Sequence, residues 1–318
     1  MNTLVTGAQG FLGSWLAQRL LDEGRAVVAL RRDVEPDSRF RTEGIEDRCI
    51  VAMADLTDHD ALVRVLNEHE VGEVFHLAAQ TIVSTANRSP LATWEANVRG
   101  TWSLLEACRS LGTVRKIVVA SSDKAYGDHV ELPYREDFAL QPRYPYDTSK
   151  ACADLIARSY AHTYSLPIAV TRLANIYGPG DVNWSRLVPD TARALAAGER
   201  PVIRSDGTPE RDYLYVEDAV DAYLAIAASL DRPAFHGRAW NAGWGQPVKV
   251  VDLVRTLIAV SGVAVEPDLH GTGTPHGEID RQYLDSSAIR AELGWEPRWE
   301  LAEGLRAAWE WYRRHLGG

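Results

Sequence analysis

The chain has 318 residues, of which 46% are hydrophobic and 25% are charged, and this is the composition of an ordinary water-soluble globular protein. Its formal net charge of -10 argues against nucleic acid or an anionic membrane as a partner, because such partners bind surfaces with an excess of basic groups. Cys49, Cys108 and Cys152 have neither the spacing of metal ligands nor the density of a disulfide scaffold, so we expect reduced thiols and no metal. The first predicted strand starts at residue 2 or 3 and no apolar run is long enough to cross a bilayer, which predicts a cytoplasmic protein.

Short runs of β-branched residues alternate with longer amphipathic segments in the first half of the chain. The predicted strands are residues 3–6, 26–30, 50–52, 73–77, 116–120 and 168–173. The predicted helices between them are residues 13–23, 58–68, 90–111 and 146–164. This repeated βαβ pattern predicts an α/β protein with a doubly wound parallel sheet.

A glycine motif joins the first predicted strand to the first predicted helix, with Gly7, Gly10 and Gly13 at its key positions. Glycine permits a tight turn and lets the backbone approach a pyrophosphate, whose charge meets the free N–H groups and the positive end of the helix dipole. In this context the motif predicts dinucleotide binding. A lone motif of this kind is also compatible with an ordinary glycine-rich turn between a strand and a helix.

After about residue 174 the alternation weakens, and loops rich in Gly and Pro separate shorter elements. We therefore expect a smaller lobe that holds the substrate. The predicted dinucleotide-binding domain is residues 1–174 plus roughly 212–242, and the predicted substrate lobe is residues 175–211 and 243–318.

Tyr146 and Lys150 lie one helical turn apart, and Pro145 suits the first position of their helix. A phenol titrates at about pH 10, which is too high for a base at neutral pH. A lysine one turn away and an oxidised nicotinamide ring both favour the phenolate, so Tyr146 can accept the proton of a sugar hydroxyl as hydride leaves the same carbon. Together with the glycine motif, the pair predicts nicotinamide-dependent redox chemistry at a sugar carbon. Alone, such a pair is more often a packing or solvated pair on a helix.

The same motifs occur in the same order in the extended short-chain dehydrogenases/reductases. The chain resembles the nucleotide-sugar epimerase and dehydratase branch of that family over essentially its whole length. Further segments that carry the resemblance are residues 54–56, 76–79, 97–101, 121–122, 175–180, 211–213 and 215–218. The resemblance implies a Rossmann doubly wound parallel sheet with a smaller C-terminal substrate-binding lobe.

The resemblance also implies the residues of a binding site for a dinucleotide and a nucleotide-diphosphate sugar. The implied cofactor-binding residues are Gly7, Gln9, Gly10, Phe11, Leu12, Gly13, Arg31, Arg32, Asp55, Leu56, Leu77, Ala78, Ala79, Gln80, Asn97, Tyr146 and Lys150. The implied substrate-binding residues are Thr81, Ser122, Asn175, Arg186, Leu187, Arg211 and Arg281. Asp55 and Leu56 would contact the adenine, and Arg211 would pair with a phosphate. Without the family pattern, Asp55 could cap a helix and Arg211 could form a surface ion pair.

The implied catalytic residues are Ser122, Asp123, Lys124, Tyr146 and Lys150. In 4,6-dehydratases an acid after the active-site Ser or Thr protonates the departing C6 hydroxyl, and the next residue is a base that removes the C5 proton. Simple 4-epimerases usually carry no such pair. Ser122-Asp123-Lys124 resembles the CDP-glucose 4,6-dehydratases, in which lysine replaces the glutamate of the dTDP-glucose and GDP-mannose enzymes. We therefore expect a nucleotide-sugar 4,6-dehydratase.

Three readings remain open on the sequence alone, and the 4,6-dehydratase is the first of them. Asp123 and Lys124 could be a polar pair in a loop, which would leave a 4-epimerase or 4-ketoreductase on the same scaffold. A dinucleotide-sensing regulator is a third reading, but a sensor has no need of Tyr146 and Lys150. As acid and base, Asp123 must stay protonated and Lys124 partly neutral, which requires burial, whereas their proximity favours the charged forms.

Arg31 and Arg32 follow the second predicted strand, where two guanidinium groups suit a 2′-phosphate and favour NADP over NAD. Asp33 could still reach a ribose hydroxyl. The helical segments 90–111 and 146–164 resemble those that form a four-helix dimer interface in this family, which predicts a homodimer.

Overall fold

The structure is a computed structural model that describes residues 1–273 and 279–317. In these residues the strands are β1 (Asn2–Thr6), β2 (Val27–Arg31), β3 (Ile50–Met53), β4 (Val71–His76), β5 (Lys116–Ala120), β6 (Ile168–Leu173), β7 (Asn175–Tyr177), β8 (Val202–Ile203), β9 (Glu210–Arg211), β10 (Tyr213–Tyr215), β11 (Ala239–Ala242), β12 (Val248–Lys249), β13 (Asp268–Leu269) and β14 (Arg281–Gln282). The α-helices are α1 (Phe11–Asp22), α2 (Arg39–Thr42), α3 (His59–Glu68), α4 (Val83–Arg88), α5 (Pro90–Trp94), α6 (Gly100–Leu111), α7 (Pro145–Tyr164), α8 (Leu187–Ala196), α9 (Val216–Ser229), α10 (Val250–Ser261), α11 (Ser287–Leu293) and α12 (Leu301–His315).

Seven of the described strands form one parallel sheet in the order β11-β6-β5-β4-β1-β2-β3. The prediction of a doubly wound α/β fold is confirmed, and the six predicted strands agree with β1 to β6 within a residue or two. The seventh strand, β11, was not predicted. It is a short, fully buried Ala-Trp-Asn-Ala segment, which gives no alternation of polar and apolar residues.

The strand order reverses beside β1. The chain passes from β1 to β2 and β3 on one side and then returns to place β4 on the other side. In open α/β sheets, ligands bind in the crevice beyond the carboxyl ends of the strands at such a reversal. The topology therefore predicts that a ligand binds at the loops after β1 and β4.

Apolar layers cover both faces of this sheet. Helices α1 and α9 pack on one face with residues such as Leu20, and α3, α6 and α7 pack on the other with residues such as Leu105. A third apolar core lies in the C-terminal part of the chain, where α8, α10 and α12 pack around residues such as Leu257. The sheet thus forms a rigid base, and the third core supports a separate group of loops beside its carboxyl edge.

Asp212 connects the two parts. Its fully buried carboxylate accepts hydrogen bonds from the backbone N–H groups of Trp244 (2.9 Å), Gly245 (3.1 Å) and Leu284 (3.3 Å). Its carbonyl oxygen accepts a hydrogen bond from the backbone N–H of Asn175 at 3.0 Å. The exact domain boundaries stay a prediction, although β11, inside the predicted segment 212–242, does belong to the main sheet.

The predicted helix 90–111 is interrupted. A π-helical stretch, Glu95–Arg99, joins α5 to α6, and such wide turns often occur at functional sites. No helix within the described ranges combines the length and the apolar character that a membrane crossing requires.

Candidate active site

The glycine loop between β1 and α1 allows unusually close backbone contact. Gly7 has a φ of +73°, and a Cβ atom there would lie 2.8 Å from the backbone nitrogen of Ala78. A Cβ atom at Gly13 would collide with the carbonyl group of Gly7. Helix α1 has neither a side-chain cap nor an acidic residue in its first turn. This bare helix end, with Phe11 and Leu12 in its first turn, fits the pyrophosphate of a dinucleotide.

Gln9 fastens the loop after β2 to the glycine loop. Its Nε2 donates to the carbonyl oxygen of Asp33 at 2.7 Å, and its Oε1 accepts from the backbone N–H of Glu35 at 3.1 Å. Sequence reasoning assigned Gln9 to cofactor binding. In the structure its side chain positions the segment that would face the adenosine ribose.

The two arginines after β2 are engaged in ion pairs. Arg31 pairs with Glu46, and both side chains are largely buried. The Nε of Arg32 lies 2.6 Å from the Oδ2 of Asp33 on the surface. Arg31, the better shielded of the two, therefore has a carboxylate partner within the protein, which it shares with Arg41.

The segment after β3 forms a tight turn. Asp55 accepts hydrogen bonds from the backbone N–H (2.7 Å) and the hydroxyl (2.6 Å) of Thr57, and these bonds lower the pKa of its carboxyl group. Leu56 packs against Gly100, where a Cβ atom would lie 2.9 Å from the Cβ of Leu56. Their contact with adenine stays a prediction.

Asn97 holds the loop after β4, which contains Leu77, Ala78, Ala79 and Gln80. Its Oδ1 accepts from the backbone N–H of Gln80 at 2.7 Å, and its Nδ2 donates to the carbonyl oxygen of Gln80 (3.0 Å) and to the hydroxyl of Ser149 (2.8 Å). Asn97 lies in the π-helical stretch and is buried. It links the cofactor side of the site to α7, and its side chain is fully occupied by these contacts.

His76 sits in a closed network at the end of β4. The Thr6 hydroxyl lies 2.9 Å from Nδ1, and the Thr101 hydroxyl lies 3.0 Å from Nε2. Because the Thr101 hydroxyl donates to the carbonyl oxygen of Asn97 at 2.6 Å, we assign the ring proton to Nε2. Burial, and to a lesser degree Lys150, lowers the pKa of His76 to about 3, so the ring is neutral and structural.

Tyr146 and Lys150 are both buried near the start of α7. The Nζ of Lys150 donates to the carbonyl oxygen of Ala120 at 2.9 Å, and burial lowers its pKa to about 8. Burial raises the pKa of Tyr146 to about 12, against the opposing effects of Arg186 and of a hydrogen bond with Ser122. Arg186 is the cation that lowers this pKa in the structure, and burial outweighs it. The expected effect of Lys150 and an oxidised nicotinamide ring on Tyr146 stays a prediction.

Asp123 begins a short 3-10 turn, Asp123–Tyr126, directly after β5. Only 2% of the residue is exposed, its Oδ1 accepts from the Ser122 hydroxyl at 3.0 Å, and its Oδ2 has no hydrogen-bond partner among the described residues. Burial raises the pKa of Asp123 more than the neighbouring Lys124 lowers it. For the acid, burial therefore acts in the direction that the proton-donor role requires.

A buried polar network anchors the end of this turn. The Tyr126 hydroxyl donates to the Oδ1 of Asn241 at 2.7 Å and accepts from the Nη1 of Arg172 at 2.8 Å. Arg172 also forms a bidentate pair with Asp154 of α7, at 2.8 and 3.0 Å. The turn with Asp123 and the helix with Tyr146 are therefore fixed to the same arginine.

Arg186 links the loops that contain Thr81 and Asp181, and it lies near the helix that carries Tyr146. Its Nη1 donates to the Oδ2 of Asp181 at 2.9 Å and its Nη2 to the hydroxyl of Thr81 at 3.3 Å. Leu187 follows it as the first residue of α8. Arg186 also interacts electrostatically with Tyr146. Thr81, Tyr146 and Arg186, which are predicted site residues from distant parts of the sequence, therefore lie close together.

Arg211 and Arg281 lie on opposite sides of a small sheet. Arg211 is buried and interacts electrostatically with Asp123, whereas Arg281 is half exposed and pairs with Glu210 at 2.7 Å. Strands β9 and β14 pair Glu210 with Arg281 and Arg211 with Gln282, so alternation places the two arginines on different faces. The structure brings Arg211 and Asn175 to the site through Asp212, but it does not bring Arg281 there.

The model of the NAD dependent epimerase/dehydratase family matches residues 3–243. The chain belongs to this family. The resemblance noted in the sequence is therefore confirmed. Among residues 1–273 and 279–317, no group of three His, Cys, Asp or Glu side chains is arranged to hold a metal ion.

Relatives of this epimerase/dehydratase include both kinds of enzyme. The chain is 35% identical to a UDP-glucose 4-epimerase from Mycolicibacterium smegmatis, over 98% of this chain and 99% of the relative. It is 30% identical to a CDP-glucose 4,6-dehydratase from Salmonella typhimurium, over 99% of this chain and 91% of the relative. The structure of a dTDP-glucose 4,6-dehydratase from Streptomyces venezuelae with bound NAD is similar, with a TM-score of 0.88, 28% identity, and 100% and 98% coverage.

Two residues of this family member were missed by sequence reasoning. Asp147 is buried inside the catalytic motif and interacts with Lys124, so its position next to Tyr146 was a usable signal. Gln282 is fully buried on the same face as Arg211, and neither atom of its amide has a hydrogen-bond partner in the described part of the chain. Nothing in the local sequence marks Gln282, because its placement depends on the pairing of β9 and β14.

Proposed function

We propose that the protein is a nucleotide-sugar 4,6-dehydratase, which converts an NDP-hexose into an NDP-4-keto-6-deoxyhexose and water. The observation that carries this proposal is Asp123, a carboxyl group that is 2% exposed and whose Oδ2 is unpartnered among the described residues. Burial raises its pKa, which favours the protonated form. A 4-epimerase has no step that consumes such a proton. A buried acid beside a lysine at this position supports water loss from C6.

Four side chains of the protein carry out or assist the proton transfers. Tyr146 accepts the proton of the C4 hydroxyl, and Ser122 orients that oxygen. Lys124 removes the proton from C5, and Asp123 delivers its proton to the departing C6 hydroxyl. Bound NAD supplies the hydride acceptor and donor that make the overall conversion redox-neutral.

A 4-epimerase is the second candidate, because the UDP-glucose 4-epimerase relative has the higher identity of the two relatives described above. The two functions differ in product mass. We would incubate the purified protein with CDP-, GDP-, UDP- and dTDP-hexoses without added reductant and record mass spectra. Loss of one water from one donor supports the dehydratase, whereas an unchanged mass with altered sugar stereochemistry supports the epimerase and contradicts our proposal.

We further propose NAD, and not the NADP that the arginine pair favoured, as the cofactor. Arg31 pairs with Glu46, and Arg32 with Asp33, so a 2′-phosphate would have to compete with carboxylates that these side chains already contact. Gln9 holds Asp33 beside the glycine loop, in the place from which an acidic side chain reaches a ribose hydroxyl. The similar dTDP-glucose 4,6-dehydratase structure contains NAD.

A homodimer through α6 and α7 is also part of the proposal. The two helices lie side by side, with the Tyr160 hydroxyl 3.2 Å from Glu106. Large apolar side chains on α5, α6 and α7 are exposed, namely Leu91, Trp94, Trp102, Leu155 and Tyr164. An aromatic and aliphatic surface of this kind is typical of a protein interface. The cytoplasmic location stays a prediction.

A further inference from the structure

We propose that Trp15 and Arg39 are positioning residues for substrate binding, which hold the loop that carries Arg186. This loop, residues 178–186, joins β7 to α8, and we call it the substrate loop. The inference rests on the proposed function, because Arg186 and Leu187 are predicted to bind the nucleotide sugar. Trp15 and Arg39 act through the loop on the nucleoside diphosphate part of that substrate.

The substrate loop reaches the loop after β4 through Arg186. Its Nη2 donates to the hydroxyl of Thr81 at 3.3 Å. Its Nη1 donates to the Oδ2 of Asp181 at 2.9 Å, and the carbonyl oxygen of Asp181 accepts a hydrogen bond from the Tyr312 hydroxyl at 2.7 Å. A guanidinium group in this place suits the diphosphate of a nucleotide sugar. The position of Arg186 therefore depends on where the chain places Asp181.

Trp15 holds the residue two places before Asp181. Trp15 lies on α1, and its indole Nε1 donates to the carbonyl oxygen of Pro179 at 2.8 Å. Pro179 is buried, so loss of this bond would leave its carbonyl group without a partner and away from water. Because α1 packs on the main sheet, the hydrogen bond ties the substrate loop to the part of the chain that carries the glycine loop.

Arg39 packs on the next residue of the loop, Gly180. Gly180 has a φ of +89°, and a Cβ atom there would collide with the Cδ of Arg39 and lie 3.2 Å from its Cβ and Cγ. The guanidinium group lies over the Trp15 ring, 4.1 Å from the ring centroid. Its Nη2 lies 2.8 Å from the Oε2 of Glu43 and donates to the Oε1 of Gln18. These contacts fix the side chain, so that its stem supports the loop in one position.

The charge of Arg39 stabilises the fold little. Its side chain is 5% exposed, and its Nε and Nη1 have no hydrogen-bond partner in the part of the chain that the structure describes. Burial lowers the pKa of Arg39, and Glu43 opposes this effect. Replacement of a buried, incompletely paired charge by an apolar side chain of similar length is often neutral or stabilising. We therefore expect Arg39→Met to stay folded, which separates an effect on the loop from an effect on folding.

The test compares Arg39→Met with Arg41→Met, the same change two positions further along the chain at a side chain that is 42% exposed. Each variant is loaded with NAD and titrated calorimetrically with UDP, CDP, GDP and dTDP. Arg39→Met should raise the Kd of the best nucleoside diphosphate at least about fivefold, an effect of the size of one lost hydrogen bond. Its melting temperature should not fall, and its affinity for NAD should stay at the wild-type value. Arg41→Met should change none of these quantities.

Two further variants test the two residues separately. Trp15→Phe keeps an aromatic ring beside Arg39 and removes the Nε1 donor, so it should raise the same Kd by a similar factor. Arg39→Lys keeps a charge opposite Glu43 and should restore part of the affinity. With the best sugar nucleotide, KM should rise by the same factor as Kd while kcat changes less than about twofold, since the loop binds the substrate equally before and during the reaction.

Two results would overturn the inference. One is a wild-type Kd in both Arg39→Met and Trp15→Phe, and the other is an equal loss of affinity for NAD and for the nucleoside diphosphate together with a lower melting temperature. A wild-type protein that binds no nucleoside diphosphate would contradict the proposed function and this inference with it. Binding of a nucleoside diphosphate without water loss from any sugar nucleotide would contradict the dehydratase alone.

Discussion

Burial raises the pKa of Asp123 and so favours the protonated form that a general acid needs. The Asp123→Asn variant keeps the shape of the side chain but removes the proton that the C6 hydroxyl needs. We expect water loss to fall about 100- to 10,000-fold, the range for loss of a general acid, while C4 oxidation continues. Mass spectrometry of the product and the absorbance of reduced nicotinamide measure the two steps separately. Unchanged turnover would show that the acid is another group.

Individual side chains also determine whether NAD or NADP binds more tightly. Because Arg31 and Arg32 already have carboxylate partners, we expect NAD to bind at least about tenfold more tightly than NADP in calorimetric titrations. The Glu46→Gln variant frees Arg31 and should narrow this difference by improving the affinity for NADP. Tighter binding of NADP by the unmodified protein would contradict the proposal.

At the scale of elements, the position of α7 depends on a buried ion pair. Asp154 and Arg172 are both fully buried, and Arg172 also holds the turn that contains Asp123. The Asp154→Ala variant leaves the guanidinium group buried without its counter-charge, which should lower the free energy of unfolding by about 3–5 kcal/mol. Urea unfolding followed by circular dichroism measures this loss.

Arg158 provides the matched control for this prediction. It lies 3.8 Å from the same Asp154 carboxylate, but 37% of its side chain is exposed. Because exposed ion pairs contribute little, Arg158→Gln should lower the free energy of unfolding by less than about 1 kcal/mol. If both substitutions lowered the free energy of unfolding by equally small amounts, apolar packing alone would hold α7 in place.

At the scale of the whole molecule, we expect the exposed face of α6 and α7 to be buried in a dimer interface. Trp102 and Leu155 are 45% and 55% exposed in the single chain. We expect sedimentation equilibrium to report a dimer, and Trp102→Glu to raise its dissociation constant at least about tenfold. Val130→Glu changes an exposed apolar residue outside this face and should leave the dimer intact. A monomeric wild-type protein would contradict the proposal.

The sequence by itself determined the class of the fold, strands β1 to β6, and two motifs, the glycine loop and the Tyr146–Lys150 pair. These features are local: the alternation of apolar residues, the glycines of a tight turn, and a Tyr and Lys one helical turn apart all act over a few neighbouring positions. Local patterns therefore sufficed to indicate nicotinamide chemistry.

The tertiary structure decided what depends on distant neighbours. Strand β11 is too short to predict from its sequence. It forms because its backbone pairs with the edge of the sheet at β6. Arg281 faces away from the site because of the register between β9 and β14, and Arg186 reaches Tyr146 through a loop distant in sequence. Burial raises the pKa of both Asp123 and Asp147, and this burial arises only when α7 packs on the turn after β5. Burial and charge are properties of the assembled site, and no short stretch of sequence contains them.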